Sequence, residues 1–206
     1  MNVAEFKKQP VLGIVRGVEA EHIEPLIEAV VAGGLKTLEI TMNTRGAAEL
    51  IRKAVQAARG RLILGAGTVL DMDSLKSAQD AGATFMVMPV LVKDVLAYCV
   101  KNKIPAFPGA LTPQEIYQAW EQGATMVKVF PAKFFGPEYF REIKGPFNQV
   151  ELLACAGVTP QNMHEYFSCG ASAVAFGASV FRRDWLQEGK YSLIGRSIKE
   201  YLCQLP

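Results

Sequence analysis

Two charged residues stand inside segments that are otherwise apolar, and their types suit covalent chemistry. Lys128 lies in the middle of Met126–Phe130, and Glu39 lies in the middle of Thr37–Thr41. A lysine held away from water favours its neutral amine, the form that attacks a carbonyl carbon. A carboxylate in a comparable position is a candidate general acid and base. The alternatives are a lysine whose ammonium group extends to solvent and a buried ion pair between the two residues.

A second group of residues follows other apolar segments and suits the binding of an anion. Arg16 ends the segment Ile14-Val15-Arg16, and its planar guanidinium presents paired donors to a carboxylate or phosphate. Thr68 follows Gly65-Ala66-Gly67, whose small residues let a ligand approach the backbone. We expect Arg16 and Thr68 to share a carboxylate, with a surface salt bridge of Arg16 as the alternative. Pro89 by itself indicates only the end of a strand.

Two glycine-containing turns near the C-terminus are candidates for phosphate binding. The segments Ala156–Pro160 and Gly177–Ser179 each follow an apolar run. Backbone N–H groups in such turns, at the start of a helix, bind phosphate. We expect Gly157, Gly177 and Ser179 to contribute to such a site, and a plain strand-to-helix turn is the alternative.

The remaining polar and sulfur-containing residues give weaker signals. The chain has two histidines, His22 and His164, both in helical stretches, and four cysteines without metal-ligand spacing, so we expect no metal site. We interpret the cysteines as core residues. Lys133 follows Pro131 on an expected exposed loop and is a weaker nucleophile candidate than Lys128.

The elements that must position these residues alternate along the whole chain. Eight strand-length apolar runs are separated by amphipathic, helix-length stretches, which is typical of parallel strands covered on both faces. The runs are Val11–Arg16, Thr37–Thr41, Leu62–Gly67, Thr84–Met88, Ile104–Pro108, Thr125–Phe130, Val150–Cys155 and Ala173–Gly177. This order predicts an α/β (β/α)8 TIM barrel, with the functional residues at the C-terminal ends of the strands. A doubly wound sheet is the competitor, but its glycine fingerprint is missing. No linker-like segment divides residues 1–206, so we expect a single domain.

Composition excludes several classes of function. The chain has 206 residues, a net charge of +2 and no long run of Lys or Arg. We therefore expect neither nucleic acid nor a membrane as a partner. Lys7, Lys8 and Pro10 interrupt any early apolar region, which argues against a signal peptide and favours a cytoplasmic location.

Four segments form a characteristic set: Leu38-Glu39-Ile40-Thr41, Gly65-Ala66-Gly67-Thr68-Val69, Phe107-Pro108-Gly109 and Val127-Lys128-Val129-Phe130-Pro131-Ala132. Together they resemble the 2-keto-3-deoxy-6-phosphogluconate (KDPG) aldolase family. This family also includes 4-hydroxy-2-oxoglutarate (KHG) and 2-keto-3-deoxy-6-phosphogalactonate (KDPGal) aldolases. The resemblance implies a class I aldolase, a lyase that forms a Schiff base with its 2-keto acid substrate. It also implies a homotrimer that needs neither metal nor cofactor.

The resemblance assigns roles residue by residue. Lys128 matches the Schiff-base lysine, and Glu39 matches the general acid and base. Arg16 and Thr68 match positions that hold the pyruvate carboxylate, and Pro89 and Phe130 match positions that line the pyruvate pocket. Gly157 and Ser179 match the phosphate region.

Three departures from the family pattern leave the substrate open. Asn43 stands where phosphogluconate-cleaving members often carry arginine, and an asparagine there is more similar to the phosphogalactonate type, although Arg45 could compensate. Ala156 replaces the first of two glycines of the phosphate turn, and Ala178 stands where glycine or serine is frequent. Backbone donors survive both alanines only if their φ angles are negative.

We therefore expect cleavage of a phosphogluconate-type acid or of 4-hydroxy-2-oxoglutarate to pyruvate and an aldehyde. The alternatives are the phosphogalactonate activity and, more remotely, a phosphate-binding barrel isomerase or epimerase.

Overall fold

Nine short parallel strands form the centre of the molecule. The computed structural model describes all residues from Met1 to Pro206. The strands are β1 (Val11–Val15), β2 (Thr37–Thr41), β3 (Ile63–Gly67), β4 (Met86–Val87), β5 (Ala106–Phe107), β6 (Gly109–Ala110), β7 (Val127–Val129), β8 (Leu152–Cys155) and β9 (Ala173–Phe176). Almost all of their residues are buried, because side chains on one face fill the interior and those on the other face meet the helices.

The sheet is closed by one strand that is broken in two. The strand order is β5-β4-β3-β2-β1-β9-β8-β7-β6, and every pairing is parallel. Pro108 alone separates β5 from β6, and proline has no N–H to donate to a neighbouring strand. Its carbonyl still accepts a hydrogen bond of 2.8 Å from the N–H of Lys128. The (β/α)8 barrel predicted from the sequence is confirmed, with its fifth strand split at this proline.

Ten α-helices surround the barrel or cover its ends. They are α1 (Val3–Lys8), α2 (Ile23–Gly33), α3 (Ala47–Ala58), α4 (Met72–Asp80), α5 (Lys93–Lys101), α6 (Pro113–Glu121), α7 (Glu138–Lys144), α8 (Met163–Ser168), α9 (Arg183–Gln187) and α10 (Tyr191–Leu202). Helices α4 and α6 begin with capping boxes at Asp71 and Thr112, which satisfy orphan N–H groups in the first turn. None of these helices combines the length and the apolar character that a membrane crossing requires.

Two apolar clusters hold the barrel together. A smaller cluster fills its interior, where Phe6 of α1 and Phe85 pack edge-to-face on Phe107 at centroid distances of 5.8 and 5.9 Å. A larger cluster of 53 residues lies between the strands and the helices. The large side chains of the interior cluster lie toward the N-terminal end, so space remains for functional groups at the C-terminal ends of the strands.

Candidate active site

Lys128 lies at the centre of β7 and is one of five buried polar or charged residues, with 6% of its surface exposed. It lines a cavity of about 390 Å³ at the C-terminal ends of the strands. Its Nζ atom lies 5.1 Å from the centroid of the Phe130 ring, a distance at which the ring face attracts a cation. The lysine therefore does not extend to bulk solvent along the barrel wall, which was the alternative interpretation of the sequence.

Glu39 of β2 lies deeper than Lys128 and is 1% exposed. Burial raises the pKa of its carboxyl from 4.5 to about 7, while the charges of Lys128 and Arg16 act in the opposite direction. Oε2 of Glu39 is buried and has no hydrogen-bond partner in the protein, so its capacity to form a hydrogen bond is not used by a neighbouring group. A carboxyl with a pKa near neutrality can donate and accept protons at the same pH.

Arg16 and Thr68 come together across the mouth of the barrel. Arg16 follows β1, Thr68 follows β3, and an Nη atom of Arg16 donates a hydrogen bond of 3.4 Å to Oγ1 of Thr68. Arg16 lines the cavity and has no acidic partner within salt-bridge distance, so the surface salt bridge considered for it does not form. Thr68 has a φ angle of 55°, a conformation that a β-branched residue rarely adopts and that tends to persist at functional sites.

Apolar groups form the walls beside Lys128. Pro89 and Phe130 both line the cavity, and Gly109 gives them room because a Cβ atom on it would overlap the carbonyl group of Pro89. Phe130 remains 36% exposed, so one side of the cavity is open to solvent.

Cys155 is a site residue that the sequence interpretation missed. It was assigned to the core, and it is 3% exposed, but it also lines the cavity as the last residue of β8. Burial raises the pKa of its thiol, against the opposing charge of Lys128. The sequence does contain one indication: Cys155 lies two residues after Leu153, and alternate residues of a strand face the same side. Both side chains lie on the inner face of the barrel.

The turn after β8 also lines this cavity. Ala156, Gly157 and Thr159 are among its lining residues. Gly157 has a φ angle of 90°, and Ala156 has one of 72°. The negative φ angle expected of Ala156 is therefore not found: this alanine adopts a left-handed conformation, which glycine adopts more readily, at a cost in strain. Ala178 has no such positive angle.

The turn after β9 lines the same cavity with Gly177 and Ser179. The hydroxyl groups of Ser179 and Tyr201 lie 3.2 Å apart, and the Tyr201 hydroxyl donates to the carbonyl of Val158 at 2.9 Å. This chain of hydrogen bonds ties the two turns together. The structure thus brings both predicted phosphate-binding segments to one place.

Three predicted site residues are not among the lining residues of this cavity: Glu39 and Thr68, which lie next to Lys128 and Arg16, and Asn43. Asn43 is exposed in the turn after β2, and Arg45 is not among the lining residues either. The predicted contact of Asn43 with substrate stays a prediction.

The potential metal ligands that cluster are Glu19, Glu21 and His22, whose ligand atoms lie within 4.8 Å of one another. The two glutamates are exposed. His22 instead makes a hydrogen bond of 2.7 Å through Nδ1 to the hydroxyl of Tyr191, in agreement with the structural role expected for it. The group lies outside the cavity that holds Lys128.

Comparison with known proteins shows the family of this chain. Residues 3–197 match the model of the family described as "KDPG and KHG aldolase". The KHG/KDPG aldolase of Escherichia coli K12 is 32% identical over 192 residues, which cover 93% of this chain and 90% of that protein.

Two solved structures share the fold at similar coverage. A native KDPGal structure has a TM-score of 0.88 at 25% identity, covering 95% of this chain and 93% of its own. The KDPG aldolase of Legionella pneumophila, with pyruvate captured as a covalent carbinolamine, has a TM-score of 0.85 at 28% identity and covers 92% of each chain. On the family match and the identity to the Escherichia coli enzyme, the chain belongs to the KDPG and KHG aldolase family, whose members are lyases.

Proposed function

We propose that this protein is a Schiff-base aldolase that cleaves a 2-keto-3-deoxy-6-phospho sugar acid or 4-hydroxy-2-oxoglutarate into pyruvate and an aldehyde. One observation carries the proposal: a buried lysine and a buried carboxyl with a pKa of about 7 lie together at the C-terminal ends of the barrel strands. The Legionella relative, with its covalent pyruvate carbinolamine, supports the same chemistry.

The first steps join substrate and enzyme. The neutral amine of Lys128 attacks the C2 carbonyl of the 2-keto acid and forms a carbinolamine, with the proton lost by nitrogen and the proton gained by oxygen both passing through Glu39. Protonation of the carbinolamine hydroxyl by Glu39 then expels water and leaves a protonated imine. This cation withdraws electrons from C3.

Carbon–carbon cleavage follows from that electron withdrawal. A base removes the proton of the C4 hydroxyl, the C3–C4 bond breaks, and its electron pair enters an enamine on Lys128. The aldehyde departs. Protonation of the enamine at C3 and addition of water at C2 release pyruvate and restore the free amine. The unpartnered Oε2 of Glu39 supports its role as the group that exchanges these protons.

Substrate position is assigned from the two groups of binding residues. Arg16 and Thr68 bind the carboxylate at C1, and Pro89 and Phe130 enclose the pyruvate half. Gly157, Gly177 and Ser179 bind the phosphate of a six-carbon substrate through backbone and hydroxyl donors. Ala156 does not meet the condition set for its backbone donor, because its φ angle is positive, so the assignment depends on Gly157, Gly177 and Ser179. Asn43 is assigned to substrate binding from the family resemblance alone.

The proposal also covers assembly and conditions. No metal or cofactor is needed, since the protonated imine itself withdraws the electrons.

Phe134 and Phe135, exposed to 70% and 55%, are candidate contacts of a homotrimer, because large apolar side chains seldom remain in water without a partner. Four free cysteines support a reducing, cytoplasmic compartment. Residues 1–206 act as one aldolase domain.

Steady-state kinetics with three substrates tests the proposal. We expect measurable kcat/KM for at least one of 2-keto-3-deoxy-6-phosphogluconate, its phosphogalactonate epimer and 4-hydroxy-2-oxoglutarate, and exchange of pyruvate methyl protons with deuterated water. The first two substrates differ only in configuration at C4, so the ratio of their kcat/KM values distinguishes the main proposal from the phosphogalactonate alternative. Failure on all three, with no exchange into pyruvate, would overturn the proposal.

A further inference from the structure

The cavity is lined by one more cationic residue than the proposed reaction uses. Its cationic lining residues are Arg16, Lys128 and Lys133, and no acidic residue is among the lining residues. Glu39 is the nearby carboxyl, and it lies beneath the cavity with 1% exposure. Arg16 and Lys128 have assigned roles at the pyruvate half. Lys133 has none, although it lies at the same cavity.

Lys133 lies beside the turn that follows β8. It belongs to the short 3-10 turn Ala132–Phe134 that follows β7. Its backbone packs against Gly157 so closely that a Cβ atom on this glycine would lie 3.0 Å from the Cα of Lys133. The side chain therefore starts from the wall of the turn that also holds Ala156 and Gly157, while its surface is exposed to solvent.

The ammonium group of Lys133 is free to bind a ligand. It has no acidic partner within salt-bridge distance. Its Nζ atom lies 5.1 Å from the centroid of the Phe134 ring. An exposed cation–π contact of this kind is weaker than a charge-assisted hydrogen bond to an oxyanion, so an anion in the cavity would recruit the group.

We propose that Lys133 is a specificity-determining residue that binds the oxyanion at the far end of the aldehyde half of the substrate. The inference rests on the proposed function, because Lys128 must fix C2 for the other end of the substrate to extend toward Gly157. The shared chemistry is a terminal phosphate or carboxylate. A lysine supplies a point charge on a flexible stem, so it adds affinity for the anion without fixing the geometry of the turn.

The two anion-ended substrates place their terminal anion at different distances from C4. A phosphate on O6 lies several bonds beyond C4, toward the turn, whereas the second carboxylate of 4-hydroxy-2-oxoglutarate is bonded directly to C4. The unphosphorylated six-carbon acid keeps the carbon chain of the first substrate and lacks the charge of its phosphate. These three molecules therefore vary charge and length independently in the part of the cavity where Lys133 lies.

The experiment measures kcat and KM of the full chain and of Lys133→Met on 2-keto-3-deoxy-6-phosphogluconate, its unphosphorylated counterpart and 4-hydroxy-2-oxoglutarate. We expect Lys133→Met to lose about 10- to 100-fold in kcat/KM on the phosphorylated acid, mainly through KM. The loss on the unphosphorylated acid should stay within about twofold. A carboxylate ligand would instead show the larger loss on 4-hydroxy-2-oxoglutarate.

Matched variants make the result specific to this position. Lys133→Arg keeps the charge and should recover most of the lost kcat/KM. Lys76→Met removes one exposed lysine of α4 that lies outside the cavity and should match the wild type. Exchange of pyruvate methyl protons should be unchanged in Lys133→Met, because pyruvate lacks the aldehyde half.

Several results would overturn the inference. One is equal kcat/KM of wild type and Lys133→Met on both anion-ended substrates. Another is an equal loss on all three substrates, which would indicate a structural defect. The inference is also contradicted if the wild type exchanges pyruvate protons but does not cleave the anion-ended substrates. The same holds if it cleaves them no better than the unphosphorylated acid. Absence of pyruvate exchange in the wild type would instead refute the proposed function.

Discussion

The carboxylate of Glu39 lies directly over Gly67 on the neighbouring strand: a Cβ atom on Gly67 would overlap Oε1 and lie 2.6 Å from Cδ. Strand β3 therefore leaves room for the Glu39 side chain only because residue 67 has none. We expect Gly67→Ala to displace Glu39, reduce kcat by about 10- to 100-fold and destabilise the fold by about 1–3 kcal/mol.

A substitution of the same kind elsewhere provides the control. Gly145 lies outside the cavity, and a Cβ atom on it would lie 3.3 Å from the carbonyl oxygen of Glu142. We expect Gly145→Ala to keep kcat close to that of the wild type. If Gly67→Ala retained full kcat in the same assay, the close packing on Glu39 would have no catalytic significance.

The raised pKa of Glu39 predicts how activity varies with pH. Since its carboxyl titrates at about pH 7, kcat/KM should show an inflection near that pH. Glu39→Gln keeps the shape and removes the proton exchange, so kcat should fall by about 10²- to 10⁴-fold and the inflection should disappear. An unchanged pH profile in Glu39→Gln would assign the titration to another group.

The same pKa predicts how stability varies with pH. Burial raises the pKa of Glu39 from 4.5 in the unfolded chain to about 7 in the folded one. Between these values only the folded state holds the proton, so its contribution is complete below pH 4.5 and is lost as the pH rises through 7. The loss in free energy of unfolding is on the order of 3 kcal/mol. Urea denaturation of wild type and Glu39→Gln between pH 4.5 and 8 should show this decline in the wild type alone; parallel curves would contradict it.

Much of this site could be predicted from the sequence because charge inside an apolar strand is conspicuous. Lys128 and Glu39 were identified in that way, and the alternation of strands and helices located them at one end of a barrel. Cys155 was missed because a cysteine in an apolar run looks like a core residue, and only the register of β8 places it beside Lys128. The break at Pro108 could not be foreseen, since a proline at a strand end is ordinary.

The backbone angles of the site were the feature hardest to predict from residue types. Alanine ordinarily has a negative φ angle, so nothing in the residue itself announces the 72° found at Ala156. The surrounding turn imposes this angle. We expect Ala156→Gly to stabilise the fold by about 1 kcal/mol in thermal or urea denaturation, because it relieves the left-handed strain.

Ala178 provides a control in which the same substitution should change stability in the opposite direction. Its φ angle is not in the left-handed region, so Ala178→Gly should destabilise the fold by about 0.5 kcal/mol through the greater entropy of the unfolded chain. Equal effects of the two substitutions would show that the angle at Ala156 carries no strain.

Thiol reactivity tests the surroundings of Cys155. Burial raises the pKa of its thiol, so little thiolate is present at neutral pH and alkylation should be slow. Cys203 is exposed and should react first with iodoacetamide, as peptide mass spectrometry would record. Alkylation of Cys155 as fast as that of Cys203 would contradict the burial and proton affinity described for it.

Trapping with borohydride tests the central claim, that Lys128 forms a Schiff base with the substrate. Reduction in the presence of pyruvate should fix the three-carbon unit on one lysine, and mass spectrometry of the digested protein should locate it on Lys128. Lys76→Met should be labelled like the wild type, and Lys128→Ala should be neither labelled nor active. An unmodified Lys128, label on Lys133, or undiminished cleavage by Lys128→Ala would contradict the account.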